Sequence, residues 1–552
     1  MKKIIINKLF IAVLIVSTIG CKKYLDINSD PDTTQQPSNS SVLPQCLAAI
    51  PTGLQSDGGL YVAKYVQNWL TNSASNANVY DLQGYNWSGG TMAATWNMTY
   101  YAMGNNLNYI LENATQKGEP EYIGVALALK AWAFQHTTDY NSDIIFYDAF
   151  KSNTFTFHYD SQDVVYKGVD SICRLAITYL DQAIAKNYTG TLKLGDLVYS
   201  GDASKWKKFV YGILARNWHH LTNKSIYNAD SVIKYCDNAM GSVNDDFCVP
   251  FDATINNNAN YFGTFRDNMT SLRQSNFIVR LLDGTALAGN NAIVANRDPR
   301  MAYMLACSQD TTNGNGGYRG VDPGQGDPYS GVTTGTNARK RVAAAYGDSL
   351  YASPSPGVFI NGSGKYLFQN KAIFPVMTYS EMQFIKAEAA FRKGYSTIAL
   401  TAYRNGIQAH FDFINRNYTG IRNASNLYST STIPSTIVSK YLASANVKQT
   451  EASLTLTDIM LQKYIALWGW GFFETWVDMR RYHYIDTDPA TSLPVYKTFS
   501  LPTPLYAPNN NKPVYRVRPH YTSEYTYNYS ELQRVGAFAN DYQTKEMWFS
   551  QP

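Results

Sequence analysis

The chain has 552 residues, a formal net charge of +5 and only 16% charged side chains, so it can bury a large core and offers no basic surface for nucleic acid. Aromatic residues stand out, with 43 Tyr, 24 Phe and 10 Trp, many of them set among Asn, Ser, Gly and Thr rather than among aliphatics. A weakly charged, aromatic-rich surface suits a neutral ligand.

The chain opens with Lys2, Lys3 and Lys8, an apolar run from Leu9 to Val16, and Ser17-Thr18-Ile19-Gly20 before Cys21. The run is far shorter than the roughly 20 residues that span a bilayer, so 1–20 reads as a removable export signal. A signal ending in a cysteine is the arrangement of bacterial lipoproteins, which makes Cys21 the candidate lipidation site and its acyl group, palmitate for example, the link to a membrane. Residues 21–41 are polar, contain Asp30-Pro31 and Gln36-Pro37, and read as an extended tether. The other cysteines, Cys46, Cys173, Cys236, Cys248 and Cys307, are odd in number and irregularly spaced. They imply no disulfide framework, and Cys173 and Cys236 fit buried thiols.

Length alone allows about three or four domains of roughly 150 residues, but the pattern favours one helical domain over 42–552 with a loop-rich insert at about 241–379. Trp96, Tyr100, Met103, Leu107 and Ile110 recur at spacings of three or four and place an apolar face on one helix. Tyr122, Ala126, Leu129 and Ala133 repeat the pattern after Glu119-Pro120, a start signal, so the two segments form an antiparallel pair. Further helices are expected over 164–185, 205–221 and 231–240, with Asp202-Ala203-Ser204 and Asp230-Ser231 supplying N-cap oxygens. Ala126, Ala128, Ala131 and Ala133 permit the close helix approach of stacked, tetratricopeptide-like pairs. Between about 241 and 379 the texture turns to clusters of Asn, Gly, Pro and Tyr, the mark of long functional loops. Helical periodicity returns over 380–393, 397–413 and 456–479, and 486–552 reads as a mostly non-helical wrap. Trp96, Trp132, Trp468 and Trp476 read as core.

Catalytic motifs are scarce. His219-His220 lacks the glutamate and spacing of a zinc helix, and Gly362-Ser363-Gly364-Lys365 departs from a phosphate loop at its first glycine and at Tyr366. Asp310 to Asn315 lacks the alternation of a calcium loop, and no G-x-S-x-G elbow occurs. Glu381 and Glu388 stand two helical turns apart, and Glu388 fits a structural partner for an arginine. Glu474 and Asp478 beside Arg480 and Arg481 read as an ion network fixing a helix exit. These features give no catalytic residues, no metal and no cofactor. Stacking a sugar asks instead for flat rings edged by amides and guanidiniums. The stretch from Tyr80 to Trp87, with Tyr85, meets that requirement; Tyr261-Phe262 with Asn260, and Tyr318-Arg319, are further candidates.

Several stretches resemble the SusD/RagB family of surface lipoproteins. They are Cys21 to Asn28 with Asp30-Pro31; Tyr140 to Phe150, where Ser142 and Ile145 replace the usual Gly and Pro; Asn296 to Met301 with its Asp298-Pro299-Arg300; Tyr318 to Gly324; Tyr379 to Ala389; Gln462 to Leu467 with Glu474 to Arg481; and Arg516 to Tyr525. Their order spans almost the whole chain. The resemblance implies an all-α fold of tetratricopeptide-like helix pairs whose long loops carry the ligand surface. It also implies lipid anchorage at the outer membrane on the cell surface, with a SusC-like TonB-dependent barrel as partner. The implied function is non-enzymatic capture of a nutrient oligosaccharide for that transporter. A RagB-like peptide binder is the first alternative and an anchored glycoside hydrolase the second.

Overall fold

A computed structural model describes residues 36–73, 79–86, 91–187, 190–288, 297–310, 315–332, 334–345, 365–417, 421–422, 428–429 and 432–552. The export signal, Cys21, the first part of the tether and Trp87 lie outside the described residues. Helices dominate, as expected. In chain order the principal ones are α1 (Asn39–Gly53), α2 (Asn105–Lys117), α3 (Pro120–Asn141), α4 (Gln162–Ala185), α5 (Ala203–His219), α6 (Ala229–Asn238), α7 (Tyr379–Lys393), α8 (Ser396–Asn417), α9 (Leu456–Leu467), α10 (Phe472–Arg481), α11 (Tyr521–Tyr527) and α12 (Tyr529–Arg534).

Successive helices from α2 to α7 pack as neighbours, and α7 then meets both α8 and α9. Burial follows the sequence of each helix. Along α4 the buried residues Val165, Val169, Cys173, Ala176, Leu180 and Ala183 recur every three or four positions, so one stripe faces the core. In α3 every residue except Lys130 is buried, because neighbours cover it on all sides. Several of its polar groups are tied to other segments: Gln135 Nε2 donates to Ile213 O at 3.1 Å and Asn141 Nδ2 to Val517 O at 3.2 Å. One apolar cluster runs from Val42 to Tyr542 and contains all four tryptophans assigned to the core. The described cysteines are free thiols, and only Cys248 is not fully buried.

Local chemistry sets the helix ends. Asp202 Oδ1 accepts from the Ser204 and Lys205 amides and caps α5, and Thr455 with Asp458 forms a reciprocal capping box on α9. The cap of α6 is Asn228, whose Oδ1 accepts from Ser231 N at 2.9 Å, not the expected Asp230-Ser231. The expected single helix over 456–479 is two helices: Gly469 adopts φ +89°, and Asn68 Oδ1 accepts its amide at 2.9 Å, so a tertiary contact stabilises the break. The final wrap is helical over α11 and α12 and otherwise irregular, and it is tied to the scaffold where Val517 N donates to Tyr140 O at 2.9 Å.

Three two-stranded antiparallel ladders occur among the described residues. Trp69–Thr71 pairs with Leu272–Gln274, and Phe247–Val249 pairs with Phe374–Met377. The first ladder ties the loop-rich region to the segment after α1, and the second joins the two ends of that region to each other. Its wall against α1 is a π-helical stretch, Leu54–Val62, a wider turn that is common near functional sites.

Candidate ligand-binding site

The loop-rich region and the end of α1 enclose a cleft of about 340 Å³, a size typical of small-ligand sites. Ala48, Pro51 and Thr52 of α1 with Gln55 form one wall. Phe251, Asp252, Asn257, Asn258, Tyr261 and Arg266 form the other. The loop alternates its side chains: Asn260 and Phe262 are buried while Tyr261 is half-buried and faces the cleft. Asn260 is the anchor. Its Nδ2 donates to Leu367 O at 2.6 Å and Gln369 O at 2.9 Å, and its Oδ1 accepts from Gln55 Nε2 at 2.7 Å and Phe262 N at 3.1 Å. Phe262 seats against Gly59 so closely that a β-carbon there would stand 2.4 Å from its ring.

The Arg266 guanidinium lies 5.5 Å from the Tyr261 ring centroid, a cation–π contact, and its Nη1 donates to Asn257 O at 3.3 Å. Burial pushes the Tyr261 phenol up, so the group stays a neutral hydroxyl. Asp252 Oδ1 accepts from Thr254 N and Oγ1, which holds its carboxyl below the usual carboxylate range. The cleft thus combines an aromatic face with guanidinium, amide and carboxylate edges, of which Arg266 and Asp252 are held by the loop's own hydrogen bonds.

The other candidate residues are placed differently. Tyr80 and Tyr85 are buried, at 4% and 5% exposure. Tyr80 packs 4.5 Å from Tyr61, and Tyr85 Oη accepts from Arg518 N at 3.1 Å. Their rings thus sit in the core and do not reach solvent, because partners remote in sequence cover them. Tyr318 is half-buried and lines a second cleft of about 350 Å³ beside Arg297, Pro299, Lys440 and Tyr441. Arg319 is turned onto its own loop, donating to Asp310 O at 2.9 Å and to Ser308 Oγ. The Asp298-Pro299-Arg300 element is architectural: Arg300 is buried, pairs with Asp298 at 2.6 Å and donates to Gln462 Oε1 at 2.8 Å. Arg266 and Phe251 were absent from the sequence candidates; the signal for Arg266 was its position five residues after Tyr261 in the same Asn-rich loop.

The ionisable helix residues form a buried network, and its carboxylates are held in ion pairs. Arg216 makes a bidentate contact with Glu381 at 2.6 and 2.7 Å and lies 3.4 Å from Glu474. Arg481 makes bidentate contacts with Glu388 at 2.9 and 3.0 Å and reaches Asp478 at 2.6 Å, while Lys463 meets Asp478 at 2.7 Å. Glu388 is the expected arginine partner. Asp139, His220 and Glu474 bring ligand atoms within 4.8 Å of one another, but both nitrogens of His220 already face carboxylates, at 3.2 and 3.0 Å. Burial alone would push this imidazole down; Asp139 and Glu474 outweigh it and raise it to about 9, which favours the imidazolium form between the two carboxylates.

Burial drives three other buried histidines the opposite way, His136 to about 3, His219 to about 4, and His410, beside Arg300, well below its ordinary value. Below the unfolded value near 6.5 the unfolded chain binds protons at these positions before the folded chain does, so stability falls as pH drops from about 6.5 towards 4. The raised His220 contributes fully below about 6.5 and loses its contribution as pH rises through about 9. Asp57, pushed up to about 6 by burial, opposes the acid trend together with the raised carboxyls of Asp81, Asp143, Asp246 and Glu381, while the lowered Glu388 and Glu474 reinforce it. Melting temperature measured from pH 4 to 10 is expected to peak near pH 6.5; a flat profile would contradict these assignments.

A family model described as starch-binding, associating with outer membrane, matches residues 31–495. No curated protein matches the chain. Among solved structures, a SusD/RagB family protein from Bacteroides thetaiotaomicron is 20% identical with a TM-score of 0.64, over 93% of this chain and 99% of that one. A chitin-binding SusD homologue from Flavobacterium johnsoniae is 18% identical with a TM-score of 0.63, over 93% and 98%. A SusD-like structure from Bacteroidetes is 17% identical with a TM-score of 0.68, over 94% and 100%. At these identities the likeness establishes a shared helical fold.

Proposed function

Because the chain belongs to the SusD-like family, we propose that it is a cell-surface lipoprotein that captures a neutral oligosaccharide and delivers it uncleaved to a SusC-like, TonB-dependent outer-membrane barrel. The observation that carries the reading is the Tyr261 cleft. Its ring offers a stacking face for a pyranose, while Arg266, Asn257, Asn258 and Asp252 offer donors and acceptors for hydroxyls around the edge. Fixing these groups before the ligand arrives lowers the ordering cost of binding. A glycosidase needs two carboxyl groups across the scissile bond, whereas Asp252 is the only carboxylate among the residues lining the cleft. The starch-binding description of the family and the chitin-binding neighbour support a saccharide over a peptide. Tyr318 on the second cleft and Trp87, two positions after Tyr85 in the sequence, remain proposed ligand contacts.

Calorimetry with oligosaccharides of starch, chitin, xylan and galactomannan, run beside a panel of peptides, tests this reading. Saccharide heats with the ligand recovered intact are expected. Peptide heats alone would establish the peptide-binding alternative, and cleaved saccharide the hydrolase.

Delivery requires an anchor. Acylated Cys21 and the extended stretch to Gln36 would let the body range up to about 50 Å from the membrane while keeping captured ligand concentrated beside a pore. No helix among the described residues is long and apolar enough to cross a membrane, so the lipid is the proposed attachment. Mass spectrometry of the exported protein is expected to find Cys21 at the amino end carrying acyl chains, and Cys21→Ser is expected to shift the protein from the membrane to the soluble fraction. An unmodified amino end would contradict the anchor.

A further inference from the structure

We infer that α11 and α12 carry a second saccharide-binding surface, which engages long glycan chains outside the Tyr261 cleft; the inference rests on the saccharide-binding reading above. Tyr521, Tyr525, Phe538 and Tyr529 form a continuous chain of rings, with centroids 5.3, 5.4 and 4.5 Å apart in that order. Tyr529 is 58% exposed and Tyr521 and Phe538 nearly 40%. Single exposed aromatics are ordinary, but three exposed rings linked in a row through the half-buried Tyr525 form an apolar patch of the kind that marks interaction sites.

The layer beneath holds these rings in place. Glu524 is buried and accepts from Tyr159 Oη at 2.5 Å and Asn528 Nδ2 at 3.0 Å. Asn528 clamps the neighbouring loop, with its Nδ2 donating to Phe157 O at 2.9 Å and its Oδ1 accepting from Phe157 N at 3.0 Å. Tyr525 Oη donates to Ala537 O at 3.2 Å, which fixes that ring's orientation. The platform is therefore built before any ligand meets it.

The surroundings choose the ligand class. Thr522, Thr526, Ser530, Gln533 and Asn540 are exposed on the same segment as the rings, a neutral set of hydroxyls and amides. The nearby cations are already engaged: Arg534 with Glu531 at 2.8 Å, the buried Arg518 with the carbonyls of Ala537 and Ala539, Arg516 with Tyr542 O at 3.1 Å, and Lys545 beside Asp541 at 3.9 Å. Among the described residues of this face the cations are thus paired or turned inward rather than gathered for phosphate contacts to an anionic lipid or a nucleic acid. Flat rings edged by neutral hydrogen-bonding groups match a saccharide, whose C–H faces stack while its hydroxyls bond at the rim.

A platform separate from the cleft makes binding of a long chain bivalent and leaves a short one monovalent. The test compares wild type with a Tyr529→Ser, Phe538→Ser double variant, reading polymer retention in affinity electrophoresis with the same polysaccharides and calorimetry with their short oligosaccharides. The expected result is at least about a tenfold loss of polymer affinity with oligosaccharide affinity and melting temperature unchanged. Tyr529→Trp, which keeps a stacking face, is expected to retain polymer affinity, so the readout does not depend on the double variant alone. Equal polymer affinity in wild type and double variant overturns the inference and leaves the cleft reading intact. So does loss of a membrane-protein partner without loss of polymer affinity, which would make this face a protein interface. Wild type that binds no saccharide, short or long, removes the functional reading and this inference together.

Discussion

Arg481→Ala is expected to destabilise the protein by about 3–5 kcal/mol, the cost of breaking a buried ion pair from one side. Arg481 is fully buried between Glu388, which it meets with both terminal nitrogens, and Asp478. Burial opposes ionisation of Glu388, yet Arg481, His219 and Arg392 together hold its carboxyl well below the usual range. Without the guanidinium, Glu388 keeps only the flank contacts of His219 at 2.8 Å, Arg392 at 3.1 Å and Tyr482 at 2.6 Å. Asp478 keeps Lys463. The network joins α5, α7, α9 and α10, so the loss is felt across the scaffold rather than at one helix end. Denaturant unfolding checks the figure. A double variant, Arg481→Met with Glu388→Leu, is expected to recover part of the loss, because it removes the fully buried Glu388 carboxylate together with the guanidinium that solvated it and fills the space with apolar side chains. A single variant within about 1 kcal/mol of wild type would mean that the network contributes little.

Tyr261→Ala is the corresponding test of the site. Loss of the stacking face is expected to weaken oligosaccharide binding by roughly ten- to thirtyfold, about 1.5–2 kcal/mol, with melting temperature unchanged because the ring is half-buried at the cleft wall. Arg266→Ala removes an edge donor and the cation–π contact and is expected to have a smaller effect of the same sign. Asn260→Ala behaves differently: the buried amide anchors the loop to Gln55, Leu367 and Gln369, and each partner left unsatisfied costs about 1–3 kcal/mol. It should therefore lower stability and binding together. Calorimetry and melting curves on the three variants separate contact from support; unchanged affinity in Tyr261→Ala would remove this ring from the site.

What could be read from the sequence depended on how local its cause was. The helix expected over 380–393 is α7, which begins one residue earlier and ends where expected, because an amphipathic run behind Thr378 carries its own cap. Glu388 and the Glu474–Asp478 pair were legible as architecture, since an acid at helical spacing from arginines in an apolar run has few other roles. Their cross-chain partners Arg216, His219 and His220 were not legible as partners, because nothing local joins positions 216 and 381. The break at Gly469 depends on Asn68, some four hundred residues away. Tyr80 and Tyr85 illustrate the same limit: a polar, aperiodic stretch suggests exposure, but Tyr61, Tyr65 and the Arg518 backbone cover the rings. In the 260–262 stretch the outward turn of Tyr261 is decided by the hydrogen bonds of Asn260, which composition does not reveal.

A crystal structure of the protein with its tightest-binding oligosaccharide tests the central claim most directly. The expected result is an intact saccharide with one ring lying on Tyr261 and its hydroxyls within hydrogen-bond distance of Arg266 and Asn257. An empty cleft, with the saccharide held elsewhere or found cleaved, would contradict it.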